Sequence, residues 1–311
     1  MLKVNGQRSS PHPPFSDGEK GMRPATMELF AYCADSLKAS HASLLHNIFQ
    51  DSNKLNELLQ NKNCLLYNTP EIIFLLIPLH NIYYDFLYMA TDLEALHHNL
   101  LLFLRENGVP LPLRASIIGK EPYAGEAAEV FEQAGFSLGR RIARMRNLND
   151  AKNMEKNVRY MREDSSQDES NVEFAVHGDE QDILDLLLSE FDIRSDNLPE
   201  LSEIAANISR KQVLVIRKNA RIVALHYFTR QNASVYGWYD VTRKEFRKNY
   251  LYQDMMLFLY KYWAKQNVVL RSYSWRDVAN KRLMALARQC NQIQDGVYIY
   301  NMIFNNTFDN G

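Results

Sequence analysis

Apolar residues recur along this chain with two periods, and the switches between them mark its elements. In residues 92–108, Leu93, Leu96, His97, Leu100, Phe103 and Leu104 fall three and four apart. That predicts a helix with Asp92 as its cap and Gly108 as its stop. The same spacing predicts helices over 122–134, through Ala127, Val130, Phe131 and Ala134, and from about 250, through Tyr252, Met255, Met256, Leu259 and Trp263. Asp179 opens another, with Ile183, Leu184, Leu187, Leu188 and Phe191 on one side, and a further helix is expected over 200–209. Towards the start, Leu29, Cys33, Leu37, Leu44, Leu45, Ile48 and Phe49 predict one or two helices reaching Gln50, before a short one around Leu55, Leu58 and Leu59. At the other end, Asp277 is the expected cap of a last helix that buries Ala279, Leu283, Leu286 and Cys290.

Between the helices lie short apolar, β-branched and aromatic runs that predict strands. They cover 64–67, 72–79, 82–89, 113–118 and 138–145, then 172–176, 212–217, 221–228, 234–240, 268–273 and 297–304. His80-Asn81 and Lys218-Asn219-Ala220 are placed to turn hairpins. The two halves then repeat one order: helices, three meandering strands, a helix, a strand, a helix and a final strand. An α/β chain of the α+β type is expected, duplicated in tandem. Proline, serine and glycine crowd residues 1–26, which read as a disordered leader. Residues 148–171 are polar and charged with almost nothing to bury, which predicts a linker between domains at 27–147 and 172–311.

Composition narrows the function classes. The net charge of −1 gives no global argument for nucleic acid or an anionic membrane. The three cysteines, Cys33, Cys64 and Cys290, are scattered and form no metal-type pair, which fits a reducing, cytoplasmic setting. The most apolar run, 72–79, is too short to span a membrane. His97-His98 are adjacent on a helix and face different ways, so no metal site is expected. Neither G-x-S-x-G nor a P-loop occurs.

The chemistry that remains sits after the strand at 234–240. Arg243, Lys244, Arg247 and Lys248 crowd a loop that runs into a helix start, where Asn249, Tyr250, Leu251 and Tyr252 offer unpaired backbone N–H groups. Such a place suits an anion, although a charge run is equally a solvated loop. Asp240 is a candidate base or a turn residue, Tyr273 a proton donor or packing, and His226 a satisfied core or cleft histidine.

The element order resembles the GNAT superfamily of acyl-CoA-dependent N-acyltransferases, most fully over residues 172–305. In that family the loop before the third helix carries Q/R-x-x-G-x-G/A, whose amides bind the CoA pyrophosphate. Here Arg247 takes the first position, and Tyr250 and Tyr252 stand where the small residues belong. Asn280 matches the family's fourth-helix asparagine, and Gly135-Phe136 its helix-end pair in the first half. The first half's helix start, Ala90-Thr91-Asp92-Leu93, has neither base nor glycine. The resemblance implies acetyl-CoA or another acyl-CoA as cofactor, bound in the second half. Its acceptor would be a small-molecule or peptide amine, with Asp240 and Tyr273 as acid–base residues. A fold that has lost catalysis and serves as a binding protein is the rival expectation. Limited proteolysis should cut first within 162–170; first cuts inside either half would contradict the linker.

Overall fold

The computed structural model describes residues 21–305 apart from 42, 49–51, 108–111, 148–171, 248–250, 267–270 and 290–291. The first half comprises β1 (Arg23–Pro24), α1 (Met27–Ser40), β2 (Leu45–His46), α2 (Ser52–Asn61), β3 (Leu65–Asn68), β4 (Ile72–Leu79), β5 (Tyr83–Ala90), α3 (Leu93–Glu106), β6 (Leu113–Lys120), α4 (Tyr123–Gln133) and β7 (Ser137–Asn147). The second comprises β8 (Val172–Phe174), α5 (Glu180–Leu188), α6 (Leu201–Ser209), β9 (Val213–Lys218), β10 (Arg221–Gln231), β11 (Ser234–Thr242), a 3-10 turn (Lys244–Phe246), α7 (Leu251–Ala264), β12 (Arg271–Asp277), α8 (Lys281–Gln289) and β13 (Gln292–Phe304).

The expected repeat is present, but the two sheets are joined. One sheet runs β1-β3-β4-β5-β6-β13-β7-β12-β11-β10-β9-β8. Read inward from either edge, the order is the same, with a pseudo-twofold axis between β13 and β7. Each half ends by lending its last strand: β13 lies against β6 of the first half, and β7 lies against β12 of the second. The lent strands pair antiparallel with each other at the centre. Among the described strands, only β5–β6 and β11–β12 pair in parallel, as a helix crossover between them requires.

Helices cover both faces of each half. On β4, Ile73, Leu75 and Ile77 pack with α1 and α2, while Ile72, Phe74 and Leu76 pack with α3 and α4. That two-sided burial is why the run is apolar without alternation. In the second half, one face packs with α5 and α6 and the other with α7. The hairpin turns lie where expected, with positive φ at His80, Asn81, Asn219 and Ala220. Cys33 and Cys64 are buried, and burial pushes the Cys64 thiol up to about 11, so neither serves as a thiolate nucleophile.

Several expectations need correction. Residues 23–26 are structured: Arg23 pairs with Leu66, Ala25 is buried, and the Thr26 hydroxyl accepts from Leu29 N to cap α1. The first helix stops at Ser40, and Leu45 pairs with Ala90 as a strand instead. The last helix is capped by Asn280, whose Oδ1 accepts from Leu283 N at 3.1 Å, and not by Asp277. It buries Met284 and Ala287 and leaves Ala279 exposed. The linker, Cys290, most of the leader and the end of the chain lie outside the described residues. No described helix is long and apolar enough to cross a membrane.

A buried cation joins the halves. Arg114 on β6 is 1% exposed and donates to Asp85 at 2.8 Å, the Tyr83 hydroxyl at 2.8 Å and Asn197 Oδ1 at 2.7 Å. Burial alone would disfavour its charge, but Asp85 and Tyr83 outweigh that. The same second-half loop is tied by Tyr239, which donates to Asn197 O, and by Asn301, which donates to Ser195 O. Arg114→Met should cost about 3–5 kcal/mol in urea unfolding, because Asp85 loses its buried partner. A loss under about 1 kcal/mol, the range of exposed pairs, would mean the junction does not depend on it.

Candidate active site

The parallel strands β11 and β12 pair only from Ser234–Arg271 to Gly237–Ser274, although both run on. A bulge lies at the same level. Tyr227 and Phe228 on β10 lie opposite Tyr239 and Gly237, so Trp238 is an extra residue that bends β11 away. Beyond it, the backbone of β11 facing β12 has no strand partner among the described residues. The result is a wedge open between two strands.

The bulge also reverses which way the side chains face. Val235 packs on the α7 side, whereas Tyr239 and Val241 pack against α5 and α6. Asp240 thereby comes directly across from His226, which stacks on Phe228 and meets the edge of Tyr252 on α7. Asp240 Oδ1 lies 2.5 Å from His226 Nδ1, and Oδ2 accepts from Arg276 Nη1 at 3.1 Å. Tyr252 hydrogen-bonds Arg276 in turn. Burial would raise the Asp240 pKa, but His226 and Arg276 together hold it below the usual carboxylate value. An ionised Asp240 can only accept, so Nδ1 is a ring nitrogen of His226 that carries a proton. With His226 4% exposed, its other nitrogen has no hydrogen-bond partner among the described residues. Gly237 leaves room for the ring, since a Cβ there would lie 3.3 Å from His226 Cε1.

No family model matches the chain, and no curated protein matches it. Solved structures do. A tandem GNAT protein from the clavulanic acid biosynthesis pathway superposes with a TM-score of 0.56 at 9% identity, covering 92% of this chain and 98% of its own. A GCN5-related N-acetyltransferase from Sphaerobacter thermophilus gives 0.53 at 10% identity, covering 91% and 95%. The chain has the tandem GNAT fold. At such identities the likeness carries the fold and not the residues.

The GNAT-like halves differ at the wedge. In the first half β5 and β6 also part early, after Asp85–Arg114, but the β4–β5 register is unbroken. The space beside them is packed with Phe86, Tyr88, Phe131 and Phe136, with ring centroids 4.9–6.3 Å apart.

The sequence-derived site residues fall in three groups. Asp240 lies in the wedge, but both of its oxygens are engaged and its pKa is low, so it is a poor base by itself. Tyr273 stacks on Tyr236 within the paired stretch, with Arg144 over its ring. The strand runs on to Asp277, past its expected end at Tyr273, which leaves Tyr273 on the order of 10 Å back along the strand from the level of Asp240. Arg243 donates to Ile222 O, Arg247 pairs with Glu190 at 2.5 Å, and Asn280 is the α8 cap. Leu251, in the first turn of α7, is buried against the sheet, with Tyr252 beside the wedge. Lys248, Asn249 and Tyr250 lie outside the described residues. Sequence reading did not join His226 and Arg276 to Asp240; only a hairpin register counted through the bulge puts 226 opposite 240. Among the described residues, no group of three His, Cys, Asp or Glu side chains is placed to hold a metal.

A depressed carboxylate pKa stabilises the fold above its unfolded value, about 3.9, and that stability is lost as pH falls through the folded value. Asp240→Asn should therefore lower stability at pH 7 and flatten its decline below about pH 4. Parallel pH–stability curves for both proteins would show that the pairing contributes nothing.

Proposed function

We propose that this protein is an acyl-CoA-dependent N-acyltransferase whose reaction takes place in the second half, residues 172–311, with a first-half domain (27–147) that binds no cofactor. The observation that carries this is the wedge between β11 and β12, with Asp240 and His226 brought to it by the bulge, while the matching place beside α3 is packed shut. The residues present fit such a cofactor in one respect. Trp275 Nε1 and Arg276 Nε, both past the last residue of β12 that pairs with β11, are buried donors without an acceptor. They and the unpaired β11 edge would hold the extended arm of the cofactor. The anion end has no glycine cradle and would depend on Arg247 and Lys248 by charge, alongside the first amides of α7.

Acyl-CoA, when bound, supplies an acyl group activated as a thioester. An amine acceptor, small molecule or peptide, must lose a proton to attack it. His226 is the base for that proton, directly or through a water, because its Nδ1 is committed to Asp240 and its other nitrogen is not. Asp240 is then a positioning residue that fixes the tautomer, and Arg276 holds Asp240.

A second reading, a binding protein on a fold that has lost catalysis, is favoured by one observation. Tyr252, Arg276 and Asp240 span the wedge from α7 to β11, and Asp254 puts a negative charge in the first turn of α7. Calorimetric titration with acetyl-CoA separates the readings. Wild type should bind, Arg247→Ala should bind weaker by about 1.5–3 kcal/mol, and His226→Ala should bind normally. With an amine panel and thiol release as readout, His226→Ala should lose about 10²–10⁴ in rate. A silent wild type alongside binding by Tyr252→Gly would select the second reading, and silence in both would remove the cofactor altogether.

A further inference from the structure

The two halves pack their last helix differently. In the first, Ala124, Ala127 and Ala128 bring α4 close onto β6 and β13. Its counterpart α8 turns Met284 and Ala287 inward, and β13 breaks register between Gln294 and Tyr298, at a Gly296 with φ +83°. A pocket of about 490 Å³ opens between them, within the size range of small-molecule sites. Its walls are Val278, Met284 and Tyr298, and its charged groups are Arg141, Lys281 and Arg288. No acid lines it.

The cations there are in surplus. The neighbouring acids are each already matched: Glu121 by Arg141, Asp277 by Arg140 and Asp295 by Arg144. Lys281 and Arg288 make no ion pair among the described residues. Arg141 is held rigidly, its guanidinium 4.5 Å over the Tyr298 ring and one nitrogen 3.0 Å from Glu121, while its Nε is buried without an acceptor. One N–H of Arg141 without an acceptor, beside two cations without an acid, makes a place suited to an anion.

We propose that this pocket binds the phosphate of a small phosphomonoester, with the ester's apolar or aromatic body against Met284, Val278 and Tyr298. Lys281 and Arg288 match the two charges of the dianion, Arg141 Nε offers it one further N–H, and the apolar walls match the remainder. None of the lining residues belongs to the wedge, so the site stands whether or not the second half transfers acyl groups.

Phenyl phosphate, titrated calorimetrically into the full chain, tests this. It should bind, phenol should not, and Lys281→Ala/Arg288→Ala should weaken it about tenfold or more. Both residues are exposed, so the unliganded melting temperature of that variant should match wild type. Absence of phenyl phosphate binding, or equal affinity in the double variant, would overturn the site. Equal binding of benzoate would overturn the phosphate assignment, and displacement of phenyl phosphate by acetyl-CoA would overturn its separateness.

Discussion

Antiparallel pairing of β7 with β13 is the constraint on which this molecule rests. Each strand belongs by sequence to one half and by hydrogen bonding to the other, so neither sheet has a free inner edge. An open strand edge invites pairing with any other chain, and the exchange removes that hazard for both halves at once. It also fixes how the halves face each other. The second-half loop over 195–200 then meets β6 and β7 close enough for Arg114 and Arg140 to hold it.

Duplication leaves two copies of one architecture free to differ, and they differ where a single residue decides. Trp238 is that residue in the second half. Its insertion carries Asp240 to the same side as His226, where β11 has already left β12. The first half keeps an unbroken register and fills the matching space with four aromatic rings. One copy thus behaves as scaffold, and the other keeps polar groups in a confined space with donors unsatisfied. Such a polar arrangement is costly to the fold and is not what packing alone would select.

Much of the fold was legible in the sequence because period and turn chemistry are local. The α3 cap at Asp92, the β4–β5 hairpin through His80-Asn81 and the repeated element order all follow from residues within a few positions of each other. What was not legible is non-local. Nothing near Leu138 or Tyr298 says that its strand will pair in the other half. Nothing near Trp238 says that it will bulge, since Val235, Gly237, Tyr239 and Val241 alternate without interruption. The site followed the same rule. Asp240 could be picked as a strand-end carboxylate, but its partners lie 14 and 36 residues away and depend on that bulge. Arg243 and Arg247 were conspicuous by charge, and charge is what surface ion pairs and carbonyl contacts also use.

The exchanged strands bear on how the chain is made. Residues of β6 meet partners on β13 about 185 positions later, as Ser116 does with Asn301. During synthesis the first half emerges with β6 lacking its neighbour, and it waits on that edge until the residues of β13 have left the ribosome. Contacts of such long sequence separation form slowly, and an unpaired edge in the interval is exposed to other nascent chains. A protein whose finished sheet is closed at its centre therefore passes, while being built, through a state that is open there.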